Sequence, residues 1–142
     1  MKTTLQSQHL FTLTMKLAPT LELGDTPAGN RRVFTVTSGE FAGERLRGEV
    51  LSQASSDLLL VRADGTSQQD VRLILRTDDG ALVLMTYRGV RRGSADTSDF
   101  YLRTAPFFET SSSTYAWLNQ MVCVAAGQRG PDSVTYEVFE IL

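Results

Sequence analysis

Histidine and cysteine are nearly absent from this 142-residue sequence, which contains one of each, His9 and Cys123. Ordinary zinc sites need several Cys or His ligands, so we expect no metal and no cofactor. A Ser-His-acid triad would have only His9 to use, and no Gly-x-Ser-x-Gly motif is present. Cys123 lies in an apolar run, which predicts a buried thiol. A single cysteine forms no internal disulfide, which favours a reducing, cytoplasmic setting.

Phosphate-binding loops, long apolar runs and excess positive charge are also missing. Neither G-x-x-x-x-G-K nor G-x-G-x-x-G occurs, which disfavours the common nucleotide and dinucleotide enzymes. No apolar run approaches the ~20 residues of a membrane-spanning helix. Lys and Arg number 14 against 16 Asp and Glu, giving a net charge of −2. Nucleic-acid binding requires a basic surface, so we expect neither nucleic acid nor a membrane as a partner.

The sequence is instead rich in short runs in which apolar and polar residues alternate. This period of two is typical of strands with one buried face. Asp64-Gly65 and Asp78-Asp79-Gly80 separate such runs, which predicts hairpins with positive φ at both central turn residues. The predicted strands cover residues 11–16, 33–37, 45–50, 58–62, 71–76, 81–88, 100–104, 120–125 and 134–141. The pattern predicts an all-β fold, a single closed antiparallel β-barrel over residues 1–142.

Two segments depart from this alternation. Ser111, Ser112 and Ser113 offer an N-cap to residues 114–118, which predicts one short helix. Residues 58–61 and 82–85 are apolar at every position, so both faces of these strands should be covered. The cover is the short helix, a neighbouring loop or another subunit, and the last of these predicts a homodimer or larger homo-oligomer.

Half of the chain's aromatic side chains lie within residues 100–119, interleaved with polar ones. Such a segment suits the wall of a pocket for a flat organic ligand. It equally suits a hydrophobic plug that closes one end of a barrel. The candidate ligand-binding residues, which include one tyrosine outside this segment, are Tyr87, Tyr101, Arg103, Phe108, Glu109, Tyr115 and Trp117.

Asp57, Asp70 and Arg72 are the candidate catalytic residues. Asp57 is either a general base in a pocket or the end of a turn. Asp70 and Arg72 share one face of a strand, and they are either solvated or a charged pair inside the barrel, where burial is costly without complete hydrogen bonding. A nearby basic group, Arg88, Arg91 and Arg92, is either a solvated turn or a site for an anionic ligand.

The order and spacing of several short motifs resemble those of a bacterial and fungal family. This family is known as domain of unknown function 3237, or uncharacterised protein family 0311. The matching motifs are residues 24–32, 39–43, 46–48, 64–65, 70–72, 77–80, 108–110 and 115–119. The resemblance implies a calycin-like barrel, similar in architecture to lipocalins, with an internal cavity. It implies no activity, because fold alone does not supply one.

The resemblance also marks polar positions that such proteins often share. They match Asp57, Asp70, Arg72, Asp79, Glu109, Tyr115 and Trp117. The family pattern has Gly-Gly-x-Asp-Trp where this chain has residues 54–58, so Leu58 replaces a tryptophan. Leu73 stands where a tyrosine is common, and Tyr87 stands where an asparagine is common. These departures indicate a pocket shaped for a different, more apolar ligand.

Three classes of function are compatible with these features. One is a cofactor-free cyclase, isomerase or lyase acting on a hydrophobic or aromatic small molecule inside the barrel. Another is a non-catalytic carrier that uses the same cavity. The third is an interaction module that binds a partner through its apolar outer strands.

Overall fold

The computed structural model describes residues 2–142, and every strand pairing in it is antiparallel. The elements are β1 (Ser7–Leu17), β2 (Leu21–Thr26), β3 (Gly29–Ala42), β4 (Arg47–Val61), β5 (Ser67–Thr77), β6 (Leu82–Arg92), β7 (Tyr101–Glu109), a 3-10 helix (Ala116–Gln120), β8 (Cys123–Arg129) and β9 (Ser133–Ile141). Apart from this single helical turn, the regular structure is entirely strand.

The sheet closes on itself. Its strand order is β1-β9-β8-β7-β6-β5-β4-β3-β2, and β1 also pairs with β3. β3 is long enough to pair with β1 through its C-terminal half and with β2 through its N-terminal half. The result is a closed ring of eight strands with β2 as an additional ninth. The predicted all-β antiparallel barrel is therefore confirmed.

The barrel has one closed end and one open end. At the closed end, the helical turn places the fully buried Leu118 against an aromatic cluster of Phe11, Phe41 and Phe108. At the opposite end, called the mouth below, the lining includes charged and hydroxyl-bearing side chains. Buried apolar side chains thus run the length of the barrel, and the polar groups of its interior lie at the mouth.

The predicted short helix was placed too early in the chain. The serines at 111–113 cap no helix, and Tyr115 precedes the 3-10 turn without a side-chain cap. Asn119 instead pairs with Thr110: its Nδ2 donates to the Thr110 carbonyl at 3.0 Å, and its Oδ1 accepts from the Thr110 N–H at 2.8 Å. This clamp closes residues 110–119 into a loop. β8 consequently begins at Cys123 rather than at residue 120. Within residues 2–142, no helix is long and apolar enough to cross a membrane.

The two predicted Asp-Gly hairpins join β4 to β5 and β5 to β6, but their turn type differs from the prediction. Only the glycines have positive φ, +83° at Gly65 and +93° at Gly80. In the first turn the Gly65 N–H donates to the Arg62 carbonyl, and the Arg62 N–H donates to the Thr66 carbonyl. These contacts define a longer loop ending in one left-handed glycine, so the aspartates keep ordinary backbone angles.

The outer faces of β4 and β6 retain apolar surface. Leu58 is 44% exposed and Leu82 is 57% exposed, while Leu60 and Leu84 are partly covered. The helical turn lies at the closed end and covers neither leucine. The predicted cover by a second copy of the chain stays a prediction.

If a homodimer forms through this face, Leu58→Lys should shift the protein towards monomer, because a charge would be buried in an apolar contact. Val124→Lys, at an exposed apolar residue of β8 on the opposite side of the ring, is the matched control and should leave the mass unchanged. Light scattering across a concentration series measures both. A parent protein that stays monomeric at high concentration would contradict the prediction.

Candidate functional site

A cavity lined by apolar and polar side chains opens at the mouth of the barrel. Its volume is about 40 Å³. One water molecule needs roughly 10–15 Å³, so the cavity has room for more than one. Its polar and aromatic lining comprises Phe34, Asp57, Gln69, Tyr87, Arg91, Arg129 and Tyr136. The cavity therefore admits a small polar group but not a whole drug-sized molecule.

Asp57 faces this cavity because of a bulge in β4. In a regular strand, alternate residues face opposite sides. Val50 points into the barrel, so a regular strand would point Asp57 outward. The register with β5 passes from Leu51↔Ile74 to Ser56↔Arg72, which gives β4 extra residues at this point. After the bulge, Asp57 and Leu59 face inward.

Ser55 and Ala54 hold the bulge. The buried Ser55 hydroxyl donates to the Leu51 carbonyl at 2.5 Å and accepts from the Ile74 N–H at 3.1 Å. Ala54 has φ +59° and is the one non-glycine residue of the described chain with positive φ. The family pattern has glycine at this position, which is the residue that adopts such an angle at least cost. Bulges commonly re-aim a side chain next to a functional site.

The Asp57 carboxyl is held in a partly dry environment. Its Oδ1 accepts a hydrogen bond from the Asp70 N–H at 3.0 Å. Burial raises the pKa of Asp57 from 3.8 to about 6, and the nearby charge of Asp70 adds to this rise. The Asp70 N–H and the guanidinium groups of Arg129 and Arg31 oppose it. A carboxyl with this pKa exchanges its proton close to neutral pH.

Two tyrosines lie beside Asp57. The rings of Tyr87 and Tyr136 pack edge to face with centroids 5.5 Å apart, and both side chains are buried. Burial raises the pKa of both phenols above the ordinary value, and the charge of Asp57 raises it further. Both therefore keep their protons at neutral pH and act as hydrogen-bond donors.

Gln69 adds an unpaired acceptor to the lining. Its side chain is only 5% exposed, and its Oε1 accepts no hydrogen bond from the described residues. An unpaired buried acceptor costs about 1–3 kcal/mol, so a bound water or a group of a bound molecule is expected to supply the donor. Gln69 could have been predicted from the sequence, because it precedes Val71, Leu73 and Leu75 at the period of two that marks the inward face of β5.

Asp70 and Arg72 do not share the cavity with Asp57, so their assignment as catalytic residues inside the barrel is corrected, and the solvated alternative is the one observed. Inward Val71 and Leu73 place both charged side chains on the outer face of β5. Asp70 lies there 3.9 Å from Arg88. Arg72 is exposed to solvent. Of the three candidate catalytic side chains, the structure brings only Asp57 into the barrel.

The aromatic segment is divided between the two barrel ends. β7 runs from the mouth to the closed end, roughly 27 Å at about 3.4 Å per residue. Tyr101 lies at the mouth but faces outward, between Arg92 and Arg103, whose Cζ atoms are 4.1 and 4.7 Å from its ring centroid. Arg103 is exposed there. The segment therefore does not form a single pocket wall.

The other aromatic candidates belong to the closed end. Phe108 is buried in the plug, and Glu109 is exposed at the end of β7. The Tyr115 hydroxyl donates to Asp79 at 2.9 Å, and Arg45 stacks on the Trp117 ring with its Cζ 3.6 Å from the centroid. The Trp117 indole N–H donates to the Thr114 carbonyl. These contacts stabilise the plug at the closed end. Of the candidate ligand-binding residues, only Tyr87 lines the cavity.

The sequence reasoning missed Phe34, Gln69, Arg129 and Tyr136. They lie on four different strands. Arg129 and Tyr136 are neighbours on one hairpin, and folding of the barrel brings this hairpin to Phe34 and Gln69. Arg91 was recognised as part of a basic group; Arg88 and Arg92, from the same group, lie outside the cavity. Among residues 2–142, no three His, Cys, Asp or Glu side chains cluster as metal ligands would.

The protein is thus a closed antiparallel β-barrel with an acid, two phenols and two guanidinium groups at its mouth. The chain belongs to the family described as "Protein of unknown function (DUF3237)", whose model matches residues 5–141.

A UPF0311 protein of Rhodopseudomonas palustris is 30% identical over the full length of both chains. A solved β-barrel-like protein of Acinetobacter baumannii AYE is 34% identical, with a TM-score of 0.90 over 99% of this chain and 98% of that one.

An enzyme is also among the similar proteins. The hydroalkoxylation enzyme of Penicillium herquei is 29% identical over 80% of this chain and 68% of its own length. A solved structure of an enzyme from the same organism is 25% identical, with a TM-score of 0.76 over 100% of this chain and 98% of that chain.

Removing the Ser55 hydroxyl should weaken the bulge. Ser55→Ala leaves the Ile74 N–H and the Leu51 carbonyl without this partner, and we expect the free energy of unfolding to fall by about 1–3 kcal/mol. Ser56→Ala, one residue along and without a side-chain hydrogen bond, is the control and should change little. Urea denaturation measures both, and equal stability of the two variants would argue against the role of Ser55.

The raised pKa of Asp57 predicts a pH-dependent stability. Its folded pKa of about 6 exceeds the unfolded value of 3.8, so its contribution is fully present below pH 3.8 and is lost as pH rises through 6. Asp57→Asn removes this loss. The difference in unfolding free energy between variant and parent should therefore be more favourable to the variant at pH 8 than at pH 4, by up to about 3 kcal/mol.

Denaturation of the parent and the variant at both pH values measures this difference. Asp96→Asn, on an exposed loop, controls for loss of a negative charge. A variant whose stability relative to the parent is the same at pH 4 and pH 8 would contradict the assignment.

Proposed function

We propose that the barrel is a catalyst of proton transfer that acts on a small organic molecule, with Asp57 as the general base. The observation that carries this proposal is the Asp57 carboxyl turned into the mouth with a pKa of about 6. A base is most effective when its pKa lies near the working pH, and here Asp57 is mainly ionised at pH 7 yet readily protonated.

The two tyrosines supply the complementary function. The neutral side chains of Tyr87 and Tyr136 line the same cavity as Asp57, and both are buried. Donors fixed in such a site stabilise negative charge that develops on a substrate oxygen. The arrangement thus combines one proton acceptor with phenol donors, the two kinds of group that ring closure, isomerisation and elimination require.

The relative from Penicillium herquei favours one of these reactions. Hydroalkoxylation adds an O–H group across a carbon–carbon double bond, so the O–H and C=C π bonds break while one C–O and one C–H bond form. In this barrel the Asp57 carboxylate would accept the hydroxyl proton as the oxygen attacks one alkene carbon. Asp57, then protonated, would return that proton to the other carbon. Every atom is conserved, and no oxidant or reductant is required.

The size of the cavity favours catalysis over storage. A carrier of the lipocalin kind encloses its ligand within the barrel, whereas this cavity of about 40 Å³ holds only the reacting end of a molecule. The remainder would extend through the mouth. We place the reaction in the cytoplasm, in keeping with the single buried cysteine.

Aromatic alkenols carry both groups that hydroalkoxylation joins, so they are the test substrates. A panel that includes 2-allylphenol should yield cyclic ethers of unchanged mass, detected by chromatography and NMR. Asp57→Asn should lower kcat by about 10²-fold or more with little change in KM. In the parent, kcat/KM should rise with pH through an apparent pKa near 6.

Asp96→Asn is the matched control, because it makes the same substitution on an exposed loop outside the cavity. It should retain kcat within a few-fold. Full activity of Asp57→Asn, or an equal loss in both variants, would count against Asp57 as the base.

A further inference from the structure

We propose that the substrate of this site carries an oxyanion, a carboxylate or an acidic phenol, which binds between Arg91 and Arg129 at the mouth. This inference rests on the proposed function, because it assigns the substrate class of the same site. It identifies the part of the substrate that stays at the mouth while the reacting end enters the cavity.

Arg91 and Arg129 are partly buried cations without partners in the described chain. Both line the cavity. The ion pairs within residues 2–142 use other arginines, and neither guanidinium donates a hydrogen bond to those residues. Arginines are abundant on protein surfaces as solvated groups, but a half-buried guanidinium normally faces a carboxylate or a carbonyl.

The two guanidinium groups also disfavour each other. Burial lowers the pKa of Arg91 below its usual value, and the charges of Arg129 and Arg32 add to this effect. Arginine does not lose its proton in proteins, so the repulsion remains as a cost to the empty site. A bound anion would remove that cost and gain charge-assisted hydrogen bonds.

Aromatic rings hold both cations in place. The Cζ of Arg129 lies 5.4 Å from the Phe34 ring centroid, and that of Arg91 lies 5.6 Å from the Phe100 centroid. Each ring attracts one guanidinium group, and the N–H groups make no hydrogen bond to residues 2–142, so they remain available for a planar oxyanion.

The charge balance of the lining points the same way. Asp57 is the sole acidic side chain in the cavity lining, against two arginines. With Asp57 ionised, the lining therefore has room for one further negative charge. An oxyanion between the arginines would leave the Asp57 carboxyl and the unpaired Gln69 Oε1 for a hydroxyl deeper in the cavity.

The test uses benzoate and 4-nitrophenolate as probes and benzamide as the neutral counterpart of benzoate. Dissociation constants come from NMR titration of the backbone amides of the full-length protein. At least one anion should bind about 10-fold more tightly than benzamide, with shifts at Gln69 and Tyr87. Which anion binds better distinguishes a carboxylate from a phenolate substrate.

Arg91→Gln and Arg129→Gln should each weaken binding of that anion by about 10-fold. Arg47→Gln, an exposed arginine at the closed end, is the control for net charge and should bind as the parent does. Circular dichroism checks that each variant is folded. If a glutamine variant is unfolded, Arg91→Lys or Arg129→Lys, which keeps the charge, replaces it. Equal binding of benzoate and benzamide, anion binding unaffected by either arginine, or no saturable anion binding up to about 10 mM would overturn the inference.

Asp57→Asn separates this inference from the proposed function. Anion binding that depends on both arginines, in a protein whose turnover is unaffected by Asp57→Asn, would support the oxyanion site and reject the catalytic role of Asp57. Turnover that requires Asp57 but shows no preference for an anion would support the catalytic role and reject the oxyanion site.

Discussion

Closure of the sheet is the constraint on which the rest of the molecule depends. Pairing of β1 with β3 removes both free edges of the ring, and every residue of a paired strand must then face either the interior or the solvent. Regular alternation fills the closed end with apolar side chains. The same rule would place Asp57 in solvent, so the extra residues of β4 before it decide whether this protein has an acid inside its barrel.

The bulge and the plug divide the interior into two regions with different chemistry. Leu118 and the phenylalanine cluster fill one end, where close packing supplies stability. At the other end, Gln69 keeps an unpaired acceptor and two arginines line the cavity without forming an ion pair with residues 2–142. Such groups cost stability in the empty protein, and a substrate that pairs them recovers that cost as binding free energy. Proteins commonly accept this exchange at functional sites.

Some parts of the site could be read from the sequence. Asp57 stood out as the acid that opens a predicted strand, Tyr87 as a polar residue within one, and Arg91 as part of a basic group. Asp70 and Arg72 were also candidates, because a barrel can be lined by polar as well as by apolar side chains. The aromatic segment misled for a different reason: residues close in sequence at the two ends of β7 lie at opposite ends of the barrel.

The sequence by itself determined the all-β barrel, its hairpins and its lack of ligands for an ordinary zinc site, because period-two alternation, Asp-Gly turns and residue counts are local properties. Only the tertiary structure decided which side chains meet. Phe34, Asp57, Gln69, Tyr87, Arg91, Arg129 and Tyr136 come from six strands and converge through ring closure and a shift of register in β4. Both depend on pairing between distant segments, and side-chain orientation changes completely with a shift of one residue.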